Sequence, residues 1–115
     1  MKTSLGIWAF GAMGTRFVPG GYQPQWAHET TAEKVARAVN GLGDLIDGYE
    51  FHYPNELSAT NLDDVRAALG GHDIYCLASG LHLDSRFGKG GFCSPDDATR
   101  DEAIRRTIDG IDFAG

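Results

Sequence analysis

The sequence predicts an α/β fold in which three strands alternate with three helices, joined by right-handed βα crossovers into a parallel sheet. Short apolar runs without a hairpin signal alternate with segments of helical periodicity. Long glycine-containing loops follow the first and third runs, where parallel sheets carry their ligand-binding loops. The 115-residue length admits one domain, and 42% hydrophobic with 23% charged residues is an ordinary globular balance.

The first strand is expected over residues 4–10, where Leu5, Ile7 and Ala9 alternate with Gly6, Trp8 and Phe10. Both sets are mostly apolar, as in a strand covered on two faces, and the alternation puts Trp8 and Phe10 on one side. Residues 11–25, rich in Gly and Pro, read as a loop. Thr30-Thr31-Ala32-Glu33 is a capping box, and Ala32, Val35, Val39 and Leu42 then recur at helical spacing up to Gly41 and Gly43. A second strand is expected over 45–51, broken off by His52-Tyr53-Pro54-Asn55-Glu56. The second helix covers about 61–69, with Leu62, Val65, Ala68 and Leu69 on one face and Gly70-Gly71 as its stop. The third strand, 73–78, centres on Ile74-Tyr75-Cys76-Leu77, and a loop over 79–93 follows. Ser94-Pro95-Asp96-Asp97 opens the third helix, with Ser94 as N-cap, Pro95 in first position and Ala98, Ile104, Ile108 and Ile111 as its apolar side.

Charge and composition exclude several function classes. Ten basic against 16 acidic residues give a net charge of −6, and the Lys and Arg are scattered, a poor match for nucleic acid. No apolar run approaches the ~18–20 residues that span a bilayer, and the amino terminus lacks a signal-peptide pattern. Cys76 and Cys93 have neither CxxC spacing nor the density of a secreted framework, so two free thiols and a cytoplasmic location are expected. Three parallel strands leave two open edges, so a homo-oligomer contact or a partner subunit is expected to cover them.

The chemistry-bearing residues gather at the carboxyl ends of the strands. His52 ends the second strand, with Asn55 and Glu56 three and four residues on; an imidazole beside a carboxylate is a general acid/base pair. His82 and Asp84 share a face if their segment is extended, as a pocket wall or as metal ligands, although two candidates are too few to define a metal site. Trp8 offers an apolar platform for a sugar ring, or packs in the core. Gly88-Lys89-Gly90-Gly91 lacks the order of a phosphate-binding loop and reads as a surface loop, and His28 and His72 read as exposed.

Three of these stretches resemble one family. Gly6-Ile7-Trp8 resembles the Gly-Leu-Trp of xylose isomerases, and Glu50-Phe51-His52 resembles their Phe-His. Phe87-Gly88-Lys89-Gly90-Gly91-Phe92, with Arg105-Arg106-Thr107-Ile108-Asp109-Gly110-Ile111-Asp112, is similar to the family's Phe-Lys-Asp-Gly-Gly-Phe loop and Arg-Lys-Thr-Ile-Arg-Asn-Ile-Asp helix. The resemblance implies the first three βα units of a (β/α)8 TIM barrel, which needs ~250 residues, and a metal-dependent sugar isomerase or epimerase acting on a monosaccharide. It implies His52 as the ring-opening acid/base, Trp8 as a pocket wall, and His82 near a position where an aromatic residue meets substrate. Phe10, beside Trp8, joins the substrate-binding set, and Asn55 and Glu56 join His52 in the catalytic set. The family has an Asp three residues after its His; Asn55 stands there, with Glu56 as the available substitute. The divalent metal it implies, Mg or Mn, is held by later strands, so no ligand is expected in this chain and residues 1–115 alone are expected to be inactive. Large subunits of C-glycoside deglycosidases share the barrel and are an alternative. So is a non-catalytic carbohydrate-binding or subunit-interaction module, and a three-strand flavodoxin-like domain, which lacks its phosphate loop, ranks last.

Overall fold

The computed structural model describes residues 1–12 and 21–115. Most of the loop expected over 11–25 lies outside the described residues. The sheet has three parallel strands, β1 (Ser4–Gly6), β2 (Gly48–Tyr53) and β3 (Asp73–Ser79), in the order β1-β2-β3. Helices α1 (Thr31–Leu42), α2 (Leu62–Leu69) and α3 (Asp97–Ala114) follow them in turn. Parallel alternation of strand and helix is what the sequence predicts.

One face of the sheet is closed. Tyr49 and Phe51 of β2, both fully buried, pack with Val35 and Ala38 of α1 and Val65 and Leu69 of α2; Leu5, Ile74, Leu77 and Phe113 complete this core. Burial of each large side chain contributes roughly 1.5–3 kcal/mol. The Tyr49 hydroxyl has no hydrogen-bond partner among the described residues, and burial pushes its pKa up. Tyr53, next on the same face, stacks on Phe113 with ring centroids 5.2 Å apart, which places α3 on the side already covered by α1 and α2. By strand alternation and register the other face carries Ser4, Gly6, Glu50, His52, Cys76 and Ala78. Ser4 and Cys76 are exposed there, and no helix among the described residues covers it.

Several local expectations are corrected. β1 stops at Gly6, and Ile7–Phe10 turns into a single 3₁₀ turn that sends Ile7 fully into the core. Trp8 and Phe10 therefore do not share a strand face. β2 lies two to three residues later than expected: Leu45, 73% exposed, sits in a 3₁₀ turn over Gly43–Leu45, and His52 and Tyr53 are inside the strand. The third helix is capped by Asp96, whose Oδ2 accepts from the Thr99 N–H at 2.8 Å; Ser94 is buried instead, accepting from the Asp96 N–H.

α3 also turns the other way. Ile104, Ile108 and Ile111 are 48, 50 and 64% exposed, Ala98 is exposed too, and Ala103 is the buried residue. Small residues decide this: a Cβ on Gly110 would lie 3.1 Å from the Tyr53 ring, so the Ala103–Gly110 side approaches the sheet more closely than isoleucines allow. His72 is not exposed: its Nδ1 lies 2.7 Å from the Leu69 carbonyl and its Nε2 3.3 Å from that of Gly43. The capping box is as expected, Thr30 Oγ1 accepting from the Glu33 N–H and Glu33 accepting from the Thr30 N–H at 2.8 Å. Among the described residues no helix is long and apolar enough to cross a membrane.

Candidate functional site

His52 stands at the carboxyl end of the central strand, 7% exposed, and three other segments meet on it. Beyond β2 the chain turns through Pro54–Glu56 and returns the Glu56 carboxylate to its own strand. Glu56 Oε2 accepts from the His52 backbone N–H at 3.0 Å and lies 3.0 Å from the ring Nδ1. A carboxylate only accepts, so Nδ1 carries a proton, and in the neutral ring Nε2 is then the nitrogen with the lone pair. Glu56 is itself 8% exposed, and Lys34 of α1 places its ammonium 3.8 Å from the other oxygen.

Two rings from the neighbouring units pack on the imidazole. Trp8, in the turn after β1, lies with ring centroids 4.4 Å away at a 44° tilt. His82, in the 3₁₀ turn Gly80–Leu83 after β3, meets His52 edge to face at 4.9 Å. Two close approaches make this possible. A Cβ on Gly6 would collide with the Trp8 six-membered ring, so the missing side chain lets the indole fold back over β1. At Gly80 a Cβ would collide with Asn55 Oδ1 and stand 3.1 Å from the Tyr53 carbonyl, so the loop bearing His82 closes down on the turn after β2.

The structure thus brings Trp8, His52, Glu56 and His82 together and leaves Phe10 and Asn55 apart. Phe10 packs against the core, and its carbonyl accepts from Arg37, whose guanidinium is forked onto Glu29 at 2.6 and 2.7 Å and lies over Trp26. That fork holds the Glu29 carboxyl below its usual range. Asn55 is exposed and packs on Gly80; the carboxylate that touches the His52 ring comes one residue later.

His82 and Asp84 diverge because the segment is a turn and not an extended strand. Asp84 accepts from the Arg86 N–H at 2.8 Å and pairs with Arg106 at 2.9 Å, contacts that lower its pKa. Arg106 also reaches Glu102 at 2.8 Å and lies over the buried Phe87 ring, fastening the His82 loop to α3. Glu102 further receives Arg105 and Arg86, and the Arg105 and Arg106 hydrogen bonds hold its carboxyl at about 2. The Gly88–Gly91 stretch forms tight turns, its Gly90 N–H donating to the Phe87 carbonyl at 2.9 Å.

The chemistry available is proton transfer. In the neutral ring, Nε2 of His52 is an acceptor on a side chain that is 7% exposed and packs against an indole and a second imidazole, the latter exposed. Among the described residues no group of three His, Cys, Asp or Glu can hold a metal ion, so the divalent metal that the resemblance implies finds no ligand set here. Lys34 and Arg37 are side chains that sequence reasoning missed, and Arg106 was read only within the stretch that carries the resemblance, with no role assigned to it. Only Lys34 carried a signal: a cation in the first turn of a helix opposes the helix dipole. No family model, curated protein or solved structure matches the chain.

Proposed function

We propose that the chain supplies the first three βα units of a sugar isomerase or epimerase built on a (β/α)8 barrel, with His52 assisting opening of the sugar ring. The observation that carries this reading is the meeting of Trp8, His52 and His82, one from each consecutive βα unit, at the carboxyl edge of the sheet. The position of α3 supports the barrel. In a doubly wound sheet the crossover after the third strand passes to the opposite face. Here all three helices lie on one face, and no helix among the described residues covers the other, which carries His52.

In this reading Nε2 takes the anomeric hydroxyl proton as the C1–O1 double bond forms and the bond from C1 to the ring oxygen breaks. The proton returns from the imidazolium to the released ring oxygen, so the step is balanced without a co-reactant. General acid–base assistance of this kind is worth about 10²–10⁴-fold. Trp8 presents an apolar surface to the C–H face of the sugar. The carbon-centred step that follows, and any Mg or Mn it uses, belongs to residues outside this chain.

The test is titration of ¹⁵N-labelled 1–115 with neutral monosaccharides, followed by a turnover assay with Mg²⁺ or Mn²⁺. The expected result is a saturable shift of the His52, His82 and Trp8 signals with no isomerisation. Turnover above a His52→Ala control overturns the partial-barrel reading. Sugars that leave all three residues unmoved overturn the assignment of the site.

A further inference from the structure

Lys34 breaks a local rule, and the reason lies in the site. It occupies the fourth residue after the Thr30 cap of α1, where the unpaired amides of the helix end already concentrate positive charge. Its long side chain is nevertheless only 14% exposed. Two carboxylates lie within its reach. Glu29 is already taken in a two-pronged bond with Arg37, so Lys34 is left to Glu56, 3.8 Å away. Glu56 in turn has one oxygen, Oε2, engaged twice by His52, and Oε1 is the atom that faces the ammonium.

We propose that Lys34 is a positioning residue for His52: by holding Glu56 Oε1 it keeps Oε2 against Nδ1 and so leaves Nε2 as the proton-accepting nitrogen. The inference rests on the assignment of His52 as the acid/base group. The Lys34 ammonium lies on Glu56 Oε1, so its effect on the imidazole runs through the carboxylate. Without it, Glu56 can rotate about its terminal torsion toward solvent, and the ring is then free to take its proton on Nε2, turning an acceptor into a donor toward the site.

The readout is the pair of imidazole nitrogen shifts of His52 in ¹⁵N-labelled 1–115, which distinguishes the Nδ1–H from the Nε2–H tautomer without any sugar. The unsubstituted chain is expected to hold the Nδ1–H form, Lys34→Met to raise the Nε2–H population several-fold, and Lys34→Arg to restore the original pattern. A folded Lys34→Met whose His52 nitrogens match the unsubstituted chain overturns the proposal. So does a Lys34→Met that unfolds while a folded Lys34→Gln keeps the Nδ1–H form, because the lysine is then structural only. A sugar-binding failure at His52 leaves this tautomer result standing, so the two readings fail separately.

Discussion

Gly6 and Trp8 form a pair in which one residue exists for the other. A Cβ on Gly6 would stand 2.8 Å from Trp8 Cη2 and closer still to two other carbons of the same ring. Gly6→Ala is therefore expected to push the indole off His52 and to cost about 1–3 kcal/mol of overpacking. Trp8 emission, read in a Trp26→Phe background, should shift red; an unchanged spectrum would separate Trp8 from Gly6. Glu56 is the other pivot. It satisfies a buried amide, an imidazole N–H and an ammonium together. Glu56→Ala strands all three and should lower stability by about 2–4 kcal/mol in urea unfolding. A loss below half a kcal/mol would mean that water replaces the carboxylate.

At the scale of elements, the loop after β3 is joined to α3 by a charge network as well as by apolar contact. Asp84, Arg86, Arg105 and Arg106 converge with Glu102, and Phe87 is the buried apolar anchor of the loop. The Glu102 carboxyl is held at about 2 against an ordinary 4.5, so its contribution is complete above 4.5 and disappears as pH falls through about 2. Thermal melts between pH 5 and pH 2 should show a fall in midpoint that is smaller in Glu102→Gln, the remainder belonging to the other carboxyls held low, Glu29 and Asp84 among them. The His82 signals should broaden over the same interval, since that loop carries the ring. Equal acid sensitivity in the variant would place the loss elsewhere. α1 owes its start to local chemistry, by contrast, with the Thr30–Glu33 box satisfying two end amides before any tertiary contact forms.

For the whole molecule the unbalanced feature is the sheet. β1 and β3 are both edges, and exposed Cys76 sits mid-strand on β3 beside exposed Tyr75. Ile104, Ile108 and Ile111 add an apolar stripe along α3. Unpaired strand edges next to apolar surface recruit other chains. Sedimentation velocity should show association that rises with concentration, and Cys76→Lys should suppress it by placing a charge on the edge. A monomer at all concentrations would show that the edges are protected in solution.

How much of this was legible depended on range. The capping box, the β/α alternation and the end of α2 at Gly70 rest on contacts within a few residues, so the sequence by itself determined them. His52 and its carboxylate were also visible, because four residues through a turn bring a side chain back to its own strand. Register and facing were decided only by tertiary structure. The Ser4–Phe10 segment alternates apolar residues equally on both sides, and only pairing with Gly48–Glu50 shows that the strand ends at Gly6. The isoleucines of α3 are the more hydrophobic face, yet the sheet selects the side of Ala103 and Gly110 because Tyr53 leaves room only for small residues. Lys34 of α1 meets Glu56, and His82 of the loop after β3 meets His52, and no local pattern encodes either meeting. Local hydrogen bonding can be read in one dimension; close approach between distant segments is a matter of volume, and volume is settled only when the chain packs.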